Sequence, residues 1–451
     1  MTKPIEHLYH RADQSPNAIA IAGPGEPFTY RRLLAAVHAL AAALQSLDPE
    51  LGSRVGICAR NTVEHLIAVL ATYAAGKVWV PLAPNNSRTD LDRMIGATRP
   101  TLFVADESCL DRFTPTGAPK PVVQSLRCVS AQIEGILACF ELRADDVNLI
   151  AAPLTHGASC FVLPILSVGG RHVMLEEPKA PRVLDAIEKY GVTTLYAPPT
   201  LIYGMLDDPT VATRNYDSMR HLIYSAAPMR PERIREAQRV FGPVIETAYG
   251  QVEAPQIITA MRAQELEHEE NLTSIGRQSP VAEVAIMAPT GELLPNGETG
   301  EIVVRGPLVM NGYLDRPDLT AQTIVDGWLH TGDLGMMDDR GYVYLRARLR
   351  ELINTGGFKV FPGDVEAVLA KHPAIAECSV FGAPDEKWGE AVHAAVRLAD
   401  GAAVSAGELI AFVKAELGSV KAPKTIHFVA ELPRNAAGKV SRAAVRGMLV
   451  T

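Results

Sequence analysis

An aspartate and an arginine fifteen residues apart are the first side chains of this sequence that could share a chemical task. Asp333 lies in the glycine-bounded run GWLHTGDLG, and Arg348 follows in the run RARLRELINTGG. A carboxylate in a tight glycine turn can accept hydrogen bonds from both hydroxyls of a ribose, and a nearby guanidinium can pair with phosphate oxygens. An aspartate that merely caps a turn before a hairpin would have the same local sequence. The pair alone is therefore a weak sign of a nucleotide site.

Two further segments carry side chains that suit a nucleotide. In ETAYGQVEA, the ring of Tyr249 could stack on a base and the carboxylate of Glu253 could hold a divalent cation that bridges phosphates. In LPRNAAGK, Lys439 lies on a glycine-containing loop near the end of the chain. In isolation, a packed tyrosine on a surface loop and a solvated lysine explain these segments better than a nucleotide site does.

The elements that must position these side chains follow an α/β pattern. Leucine and valine recur at spacings of four and three, as an amphipathic helix requires, at Leu33, Val37, Leu40, Leu44 and Leu47. Short β-rich runs alternate with such helical stretches, which favours parallel sheets covered by helices. The predicted buried strands are 19–22, 54–58, 101–106, 147–152, 172–175, 193–196 and 221–225.

The pattern changes twice toward the end of the chain. From about residue 276 to 346, glycine and proline punctuate short runs, as in antiparallel hairpins. After about residue 350, strands and helices alternate again over a length that suits one compact α+β domain. The predicted fold class is α/β, with a large N-terminal domain of two α/β lobes plus a small β-barrel-like unit, and a small mobile α+β C-terminal domain.

Composition limits the classes of protein to consider. The 451 residues are 21% charged and 47% hydrophobic, as in globular proteins, and the net charge of −8 predicts no nucleic-acid partner and no anionic membrane surface. The six cysteines show neither metal-ligand spacing nor a C-x-x-C pair, and no apolar run approaches the length of a membrane span. We therefore expect a cytoplasmic protein.

Taken in order and at their separations, the motifs resemble the adenylate-forming superfamily of acyl-CoA synthetases, firefly-type luciferases and the adenylation domains of peptide synthetases. The resemblance covers nearly the whole chain. It rests on FTYRRLLAA (28–36), GKVWVPLAP (76–84), PLTHGA (153–158), SAAPM (225–229), AYGQVEA (248–254), GETGEIVVRGP (297–307), HTGDLG (330–335) and NAAGK (435–439).

The resemblance implies a two-step reaction. A carboxylate attacks the α-phosphate of MgATP to give an acyl-adenylate and pyrophosphate, and a thiol then captures the acyl group. It further implies a role for each matching residue. Asp333 would hold the ribose hydroxyls, Arg348 the ribose and phosphate side, Tyr249 and Gly250 the adenine with Ala227 and Pro228 of SAAPM, Glu253 the Mg²⁺, and Lys439 the α-phosphate and the substrate carboxylate.

The resemblance also implies domain alternation between an adenylation pose and a thiolation pose. The predicted domains are 1–347 and 352–451, joined by a hinge at 348–351 that contains Arg350. In the thiolation pose, Gly356 and Gly357 would line a tunnel for pantetheine. The segment PDEKWGEAV (384–392) resembles free-standing acyl-CoA ligases, so CoA is favoured over a carrier-protein thiol as the acceptor.

The sequence departs from the family at its phosphate loop, whose usual pattern is approximately [ST]-[SG]-G-[ST]-[ST]-G-x-P-K-G. The segment TPTGAPKPVVQ (114–124) keeps only the end of that loop, with Lys120 as its remaining cation, and the preceding connection is shorter than in the family. Val252 stands where the family most often has a threonine whose hydroxyl bonds the α-phosphate. Both departures remove donors to phosphate, and the residues for the AMP moiety remain.

Three functions therefore stay open. The first is an acyl-CoA ligase in which Lys120, Glu253, Mg²⁺ and Lys439 sustain adenylation. The second is an ATP-independent relative that binds only the AMP moiety and acts on a preformed acyl-adenylate or on acyl-CoA. The third is a non-catalytic adenylate- or CoA-binding protein. A gene-model error or a deliberate deletion near residues 106–117 would also account for the short loop.

The sequence indicates less about the identity of the acid substrate. We expect a small-molecule carboxylic acid with an apolar body, either aryl or medium aliphatic, in a pocket walled by Ile202, Tyr203 and Ser225 with His156 near its mouth. A histidine packed against a turn fits equally well. Lys359 and Trp388 are candidates for the thiol-side surface, or for simple packing. A homodimer stays open.

Overall fold

The structure is a computed structural model that describes residues 3–23, 25–112, 121–434 and 440–450. The described chain divides into two compact units. The first unit comprises the described parts of 1–285, 303–331 and 338–343, and the second those of 286–302, 332–337 and 344–451. The predicted domain limits and the hinge at 348–351 concern movement and stay a prediction.

The strands and helices are short and alternate over most of the chain. In chain order the strands are β1 Ile19–Ala22, β2 Phe28–Thr29, β3 Arg54–Cys58, β4 Val78–Pro81, β5 Leu102–Ala105, β6 Val122–Val123, β7 Val147–Ile150, β8 Arg171–Met174, β9 Thr194–Ala197, β10 His221–Tyr224, β11 Ile245–Gln251, β12 Ala254–Met261, β13 Arg277–Gln278, β14 Glu283–Met287, β15 Thr299–Arg305, β16 Gly312–Tyr313, β17 Ile324–Val325, β18 Trp328–Met337, β19 Val343–Arg348, β20 Ile353–Thr355, β21 Phe358–Val360, β22 Ile375–Asp385, β23 Gly389–Leu398 and β24 Thr425–Phe428. The α-helices are α1 Glu6–Gln14, α2 Tyr30–Leu47, α3 Val63–Ala74, α4 Arg88–Thr98, α5 Leu126–Cys139, α6 Val162–Val168, α7 Ala180–Tyr190, α8 Pro199–Leu206, α9 Pro231–Phe241, α10 Ala263–Leu266, α11 Pro317–Thr323, α12 Pro362–Leu369, α13 Ala406–Lys421 and α14 Arg442–Leu449.

The main sheet has nine strands in the order β13-β12-β11-β10-β9-β7-β8-β1-β2. Its strands from β11 to β1 run parallel to one another, and β2, β12 and β13 pair antiparallel at the two ends. Every residue of β7, β9 and β10 is buried, as expected for strands covered on both faces. A second, parallel sheet has the order β4-β3-β5. The two α/β lobes of the predicted fold class are confirmed.

Helix α2 shows how the apolar spacing positions an element. The Thr29 side chain accepts a hydrogen bond from the backbone N–H of Arg32, which caps the start of the helix. Leu33, Val37 and Leu44 face the core and are buried. Leu47, which the spacing assigned to the same face, is 74% exposed because the helix ends at this residue.

The smaller sheets follow along the chain. The predicted β unit is a five-stranded sheet in the order β14-β15-β18-β17, with β19 on β18. The C-terminal part has a five-stranded sheet in the order β21-β20-β23-β22, with β24 on β23. Helices α12 and α13 pack against this last sheet, around a core that includes Val365, Leu369 and Val413. Among the described residues, no helix combines the length and the apolar character that a bilayer span needs.

Candidate active site

Three of the motif segments lie at one edge of the main sheet. Residues 153–158 follow β7, residues 225–229 follow β10, and residues 248–251 complete β11. These strands are parallel, with β9 between β7 and β10. Because the carboxyl ends of parallel strands meet at the same edge, the sheet brings the three segments together, and this edge is where α/β sheets bind ligands.

The hairpin of β11 and β12 fixes the Tyr249–Gly250 segment. Tyr249 is opposite Thr259 in the ladder. A Cβ atom added to Gly250 would lie 2.4 Å from the backbone nitrogen of Gln256, so no larger residue fits there without a backbone shift. The Gln251 side chain donates from Nε2 to the carbonyl oxygen of Thr331 at 2.9 Å. The ring predicted to meet the adenine is therefore carried by a hairpin whose backbone strands approach closely.

Glu253 lies in the turn between the two strands. Its Oε1 accepts a hydrogen bond from the Tyr313 hydroxyl at 2.8 Å, and its carbonyl oxygen accepts one from the backbone N–H of Met310 at 2.7 Å. Burial, together with the Glu253 carboxylate, raises the pKa of Tyr313 to about 12, so the hydroxyl remains a donor at neutral pH. A half-buried carboxylate held in this way suits Mg²⁺, which binds through one or two carboxylates and keeps several waters.

Val252 precedes this glutamate and is 63% exposed. Its carbonyl oxygen accepts a hydrogen bond from Nε2 of Gln124 at 2.9 Å. An apolar side chain packed in a core would have a structural reason to be there, but this one reaches solvent. Its side chain has no group to donate to a phosphate.

The SAAPM segment begins with a buried residue and then turns sharply. Ser225 is buried, Ala227 is half-buried, and Pro228 is exposed. Ala226 has φ of +76°, the left-handed region that non-glycine residues rarely adopt. Such strain occurs preferentially at functional sites. The backbone N–H that follows this segment, at Arg230, donates to the Tyr203 hydroxyl at 3.1 Å, which places Tyr203 beside it.

His156 is exposed near the same edge. Its Nδ1 lies 3.0 Å from the hydroxyl oxygen of Thr155. Protein atoms around the ring nevertheless desolvate it and lower its pKa, which favours a neutral imidazole at neutral pH. The next residue, Gly157, approaches Tyr196 so closely that an added Cβ would lie 2.3 Å from the tyrosine hydroxyl.

In the second unit, Asp333 and Arg348 are in contact. The Asp333 side chain is 3% exposed, and its Oδ1 lies 3.1 Å from Nε of Arg348. The preceding residue, Gly332, donates its backbone N–H to Oε1 of Glu301 at 2.8 Å. Asp333 lies on β18 and Arg348 ends β19, so neighbouring strands join the two residues that the sequence separates.

The predicted hinge and thiol-side residues also lie in the second unit. Arg350 is exposed in a short 3₁₀ turn. Gly356 and Gly357, with φ of +57° and +83°, form the two-residue turn of the β20–β21 hairpin. Gly356 rests on the Trp388 indole, where an added Cβ would lie 2.5 Å from a ring carbon, and Lys359 is exposed.

Two predicted residues lie outside the described residues. Lys120 and Lys439 cannot be placed, because both fall in parts of the chain that the structure does not describe.

Two contacts in the structure were not predicted from the sequence. The Tyr313–Glu253 hydrogen bond joins residues far apart in sequence. Arg442 likewise forms ion pairs with Glu351 and Glu366. Burial acts to lower the pKa of Arg442, but these two carboxylates outweigh it and raise the pKa. Only the three-residue spacing from Lys439 could have drawn attention to this arginine.

Comparison with protein-family models gives two matches. The AMP-binding enzyme model matches residues 8–114 and 115–314, and the model of the AMP-binding enzyme C-terminal domain matches residues 364–439. Together they cover most of the chain, and residues 315–363, which include Asp333 and Arg348, lie between the matched ranges.

Individual proteins are similar over long stretches. The medium/long-chain-fatty-acid–CoA ligase FadD8 of Mycobacterium tuberculosis is 41% identical over 338 residues, which cover 73% of this chain and 59% of that ligase. Feruloyl-CoA synthase of an Amycolatopsis species is 30% identical over 97% of both chains. The solved structure of the amide bond synthetase McbA from Marinactinospora thermotolerans matches with a TM-score of 0.92 and 30% identity over 100% of both chains.

Proposed function

This chain belongs to the AMP-binding enzyme family, and we propose that it activates a carboxylic acid as an acyl-adenylate and transfers the acyl group to CoA. The observation that carries the proposal is the arrangement at the edge of the main sheet. There, residues 153–158, 225–229 and 248–254 meet, as an adenylate site requires. The CoA ligases among the similar proteins support the reaction class.

Each residue then has a definite task. Asp333 accepts hydrogen bonds from the ribose hydroxyls, and Arg348, already held by Asp333, pairs with the ribose and phosphate side. Tyr249 and Gly250, with Ala227 and Pro228, bound the adenine.

The remaining residues act where charge develops. Glu253 holds Mg²⁺, which when bound neutralises phosphate charge, and the Tyr313 hydroxyl orients the carboxylate. Lys439 draws together the α-phosphate and the substrate carboxylate, two anions that would otherwise repel. His156, as a neutral imidazole, lies near the mouth of the acid pocket.

Two features of the sequence argue against the ATP-dependent step of this proposal. The family model matches the chain in two segments that meet at residues 114 and 115, inside the segment where the phosphate loop is short. The exposed Val252 lacks the hydroxyl that threonine would offer. These two observations favour a second candidate function, in which the chain accepts a preformed acyl-adenylate or acyl-CoA and binds only the AMP moiety of ATP.

The partners of the reaction follow from the same assignment. We infer an apolar acid, aryl or medium aliphatic, in a pocket near Tyr203 and Ser225, and CoA as the acceptor, with a carrier-protein thiol as the alternative. Gly356 and Gly357 would line the thiol's path after rotation about Arg350. All six cysteines are free, which supports the cytoplasm as the location.

A single set of measurements separates the two candidate functions. ATP–pyrophosphate exchange with a panel of aryl and aliphatic acids tests adenylation, and calorimetry with AMP and with a stable acyl-sulfamoyl adenosine tests the adenylate site. Exchange with any acid supports the ligase. Analogue binding without exchange supports the ATP-independent enzyme. If neither AMP nor the analogues bind, the proposed function is wrong.

A further inference from the structure

The residues on both sides of the Lys439 segment are described, although Lys439 itself is not. Arg434 and Val440 pair in an antiparallel bridge. Ser441 donates its backbone N–H to the carbonyl oxygen of Pro433 at 2.8 Å. The chain therefore enters and leaves the undescribed stretch at one place. Because a few residues of chain can span only a short distance, the position of this place limits where Lys439 can reach.

Arg442 follows directly and fixes this place to two other segments. Its Nη2 lies 2.8 and 3.0 Å from the two carboxylate oxygens of Glu366 in α12, and its Nη1 pairs with the carboxylate of Glu351. All three side chains are only 24% or 25% exposed. Glu366 is held from β22 as well, because its Oε1 accepts a hydrogen bond from the backbone N–H of Val380 at 2.7 Å. One guanidinium thus joins the start of α14 to α12 and to the predicted hinge.

The helix that carries Arg442 does not account for its position. Arg442 is the first residue of α14, the end of a helix at which the backbone dipole disfavours a cation. The start of this helix is already capped, because the Ser441 hydroxyl oxygen accepts a hydrogen bond from the backbone N–H of Ala444. The two carboxylate partners, rather than the helix, are therefore the interactions that Arg442 serves.

The predicted hinge lies between two ion pairs of the second unit. Arg348 pairs with Asp333 on one side, and Glu351 pairs with Arg442 on the other. Residues 349–350, between these two pairs, are exposed. A backbone rotation at 349–350 leaves both ion pairs intact, whereas a rotation beyond Glu351 would break the second pair. Glu351 would then move together with α14.

We propose that Arg442 is a positioning residue, which ties the segment of Lys439 to the far side of the hinge. Each rotation into the adenylation pose then returns the lysine to the same place at the α-phosphate. The inference rests on the proposed function, because it requires Lys439 to act in adenylation. It also narrows the predicted hinge from 348–351 to 349–350.

The test compares the two half-reactions in the full-length protein. Arg442→Met removes the guanidinium and keeps an apolar stem. Pyrophosphate exchange should fall by at least about tenfold, in kcat more than in KM, because a misplaced catalytic group acts on the transition state. Thioester formation from CoA and the synthetic adenylate of the acid that exchanges fastest should change by less than about threefold, because Lys439 is not used in that step.

Three more variants separate positioning from general instability. Arg446→Met is the matched control, because Arg446 is exposed one turn further along α14, and exchange should be unchanged. Glu351→Gln weakens the hinge contact and keeps the Glu366 pair, so exchange should fall by a smaller factor than in Arg442→Met. Adding Arg442→Met to Lys439→Ala should change the residual exchange by no more than about twofold, since the arginine acts through the lysine.

Hydrogen–deuterium exchange gives a measurement that does not depend on activity. Peptides that cover 349–353 and 441–446 report the hinge and the start of α14. Arg442→Met should raise the amide exchange rate of both by at least about fivefold, because each segment loses the same anchor. Arg446→Met should leave both rates unchanged.

The outcomes separate this inference from the function on which it rests. If the unchanged protein shows pyrophosphate exchange but Arg442→Met lowers both half-reactions equally, Arg442 is structural and the proposed function stands. Unchanged amide exchange in Arg442→Met, or a full loss on top of Lys439→Ala, likewise overturns the inference. If the unchanged protein forms thioester from acyl-adenylates without any pyrophosphate exchange, the ATP step of the proposed function is wrong, and the role of Arg442 in adenylation is wrong with it.

Discussion

The pair proposed to bind the ribose and the turn proposed to face the phosphates are built very differently. Asp333 is almost completely buried and already paired with Arg348, so these two side chains are held in place before a ligand arrives. In the turn at residues 252 and 253, the carboxylate is oriented by Tyr313, but the residue beside it is an exposed valine that can donate nothing. From this contrast we expect recognition of the AMP moiety and use of the two outer phosphates to be separable by mutation.

The largest effect should come from the ribose side. Asp333→Asn removes the buried carboxylate that we propose accepts hydrogen bonds from the ribose hydroxyls, and it leaves Arg348 without this partner, so AMP affinity should fall by about 100-fold. Calorimetry with AMP measures the loss, with the melting temperature to check folding. Asp339→Asn, at an exposed turn position, is the control and should bind AMP as the unchanged protein does. Equal affinities for both variants would show that the pair is structural.

The next effect concerns the metal on the phosphate side. Tyr313→Phe removes the hydrogen bond that orients Glu253, and such outer contacts are worth at least about tenfold in metal affinity. We expect the Mg²⁺ concentration for half-maximal pyrophosphate exchange to rise by about that factor, with AMP affinity unchanged. In a protein that shows no exchange, isothermal titration of MgADP against ADP gives the same comparison.

The chain contains a matched control for this variant. The Tyr342 hydroxyl donates to Oε1 of Glu265 at 2.8 Å, the same kind of contact at the same distance. Tyr342→Phe should leave the Mg²⁺ dependence unchanged. A parallel response in both variants would mean that loss of a tyrosine–glutamate bond acts through stability, and it would remove Glu253 from its assigned role.

A gain of function would test the missing donor directly. Val252→Thr keeps the shape and adds a hydroxyl, and a hydrogen bond to a charged group is worth enough to raise the exchange rate by about fivefold to tenfold. AMP affinity should change little, which is how the two regions are told apart. Val325→Thr, another exposed valine, should have no effect. If Val252→Thr does not change exchange, the deficit lies in the short loop alone.

Local patterns predicted the scaffold well, because each strand of a parallel sheet is an apolar run in its own right. All seven predicted strands are present, and each end lies within two residues of its predicted position. The Asp333–Arg348 contact could be anticipated because glycine turns and a fixed spacing mark it. The prediction that Leu47 lies on the buried face of α2 is wrong, because residue spacing does not show where a helix ends and leaves the core.

The features that sequence could not supply are those without a local signal. The Tyr313–Glu253 bond joins positions sixty residues apart. Nothing in the local sequence indicates that the side chains of Gln132 and Gln256 are buried. A glycine in the sequence can indicate a left-handed backbone, but Ala226 and Gln256 adopt positive φ without any such sequence signal.

That last point gives the smallest prediction, at Ala226 in the SAAPM segment of the AMP side. A left-handed alanine costs about 1–2 kcal/mol, whereas glycine adopts the same φ without strain but loses more entropy on folding. Ala226→Gly should therefore leave the free energy of unfolding unchanged or raise it by about 0.5–1 kcal/mol. Its neighbour Ala227 is not among the residues with positive φ, so Ala227→Gly should lower the same quantity by about 0.5–1 kcal/mol. Urea unfolding measures both variants, and the difference between their free energies of unfolding is the test. If Ala226→Gly destabilises as much as Ala227→Gly, the segment is not strained, and the argument that it is shaped for a ligand loses its support.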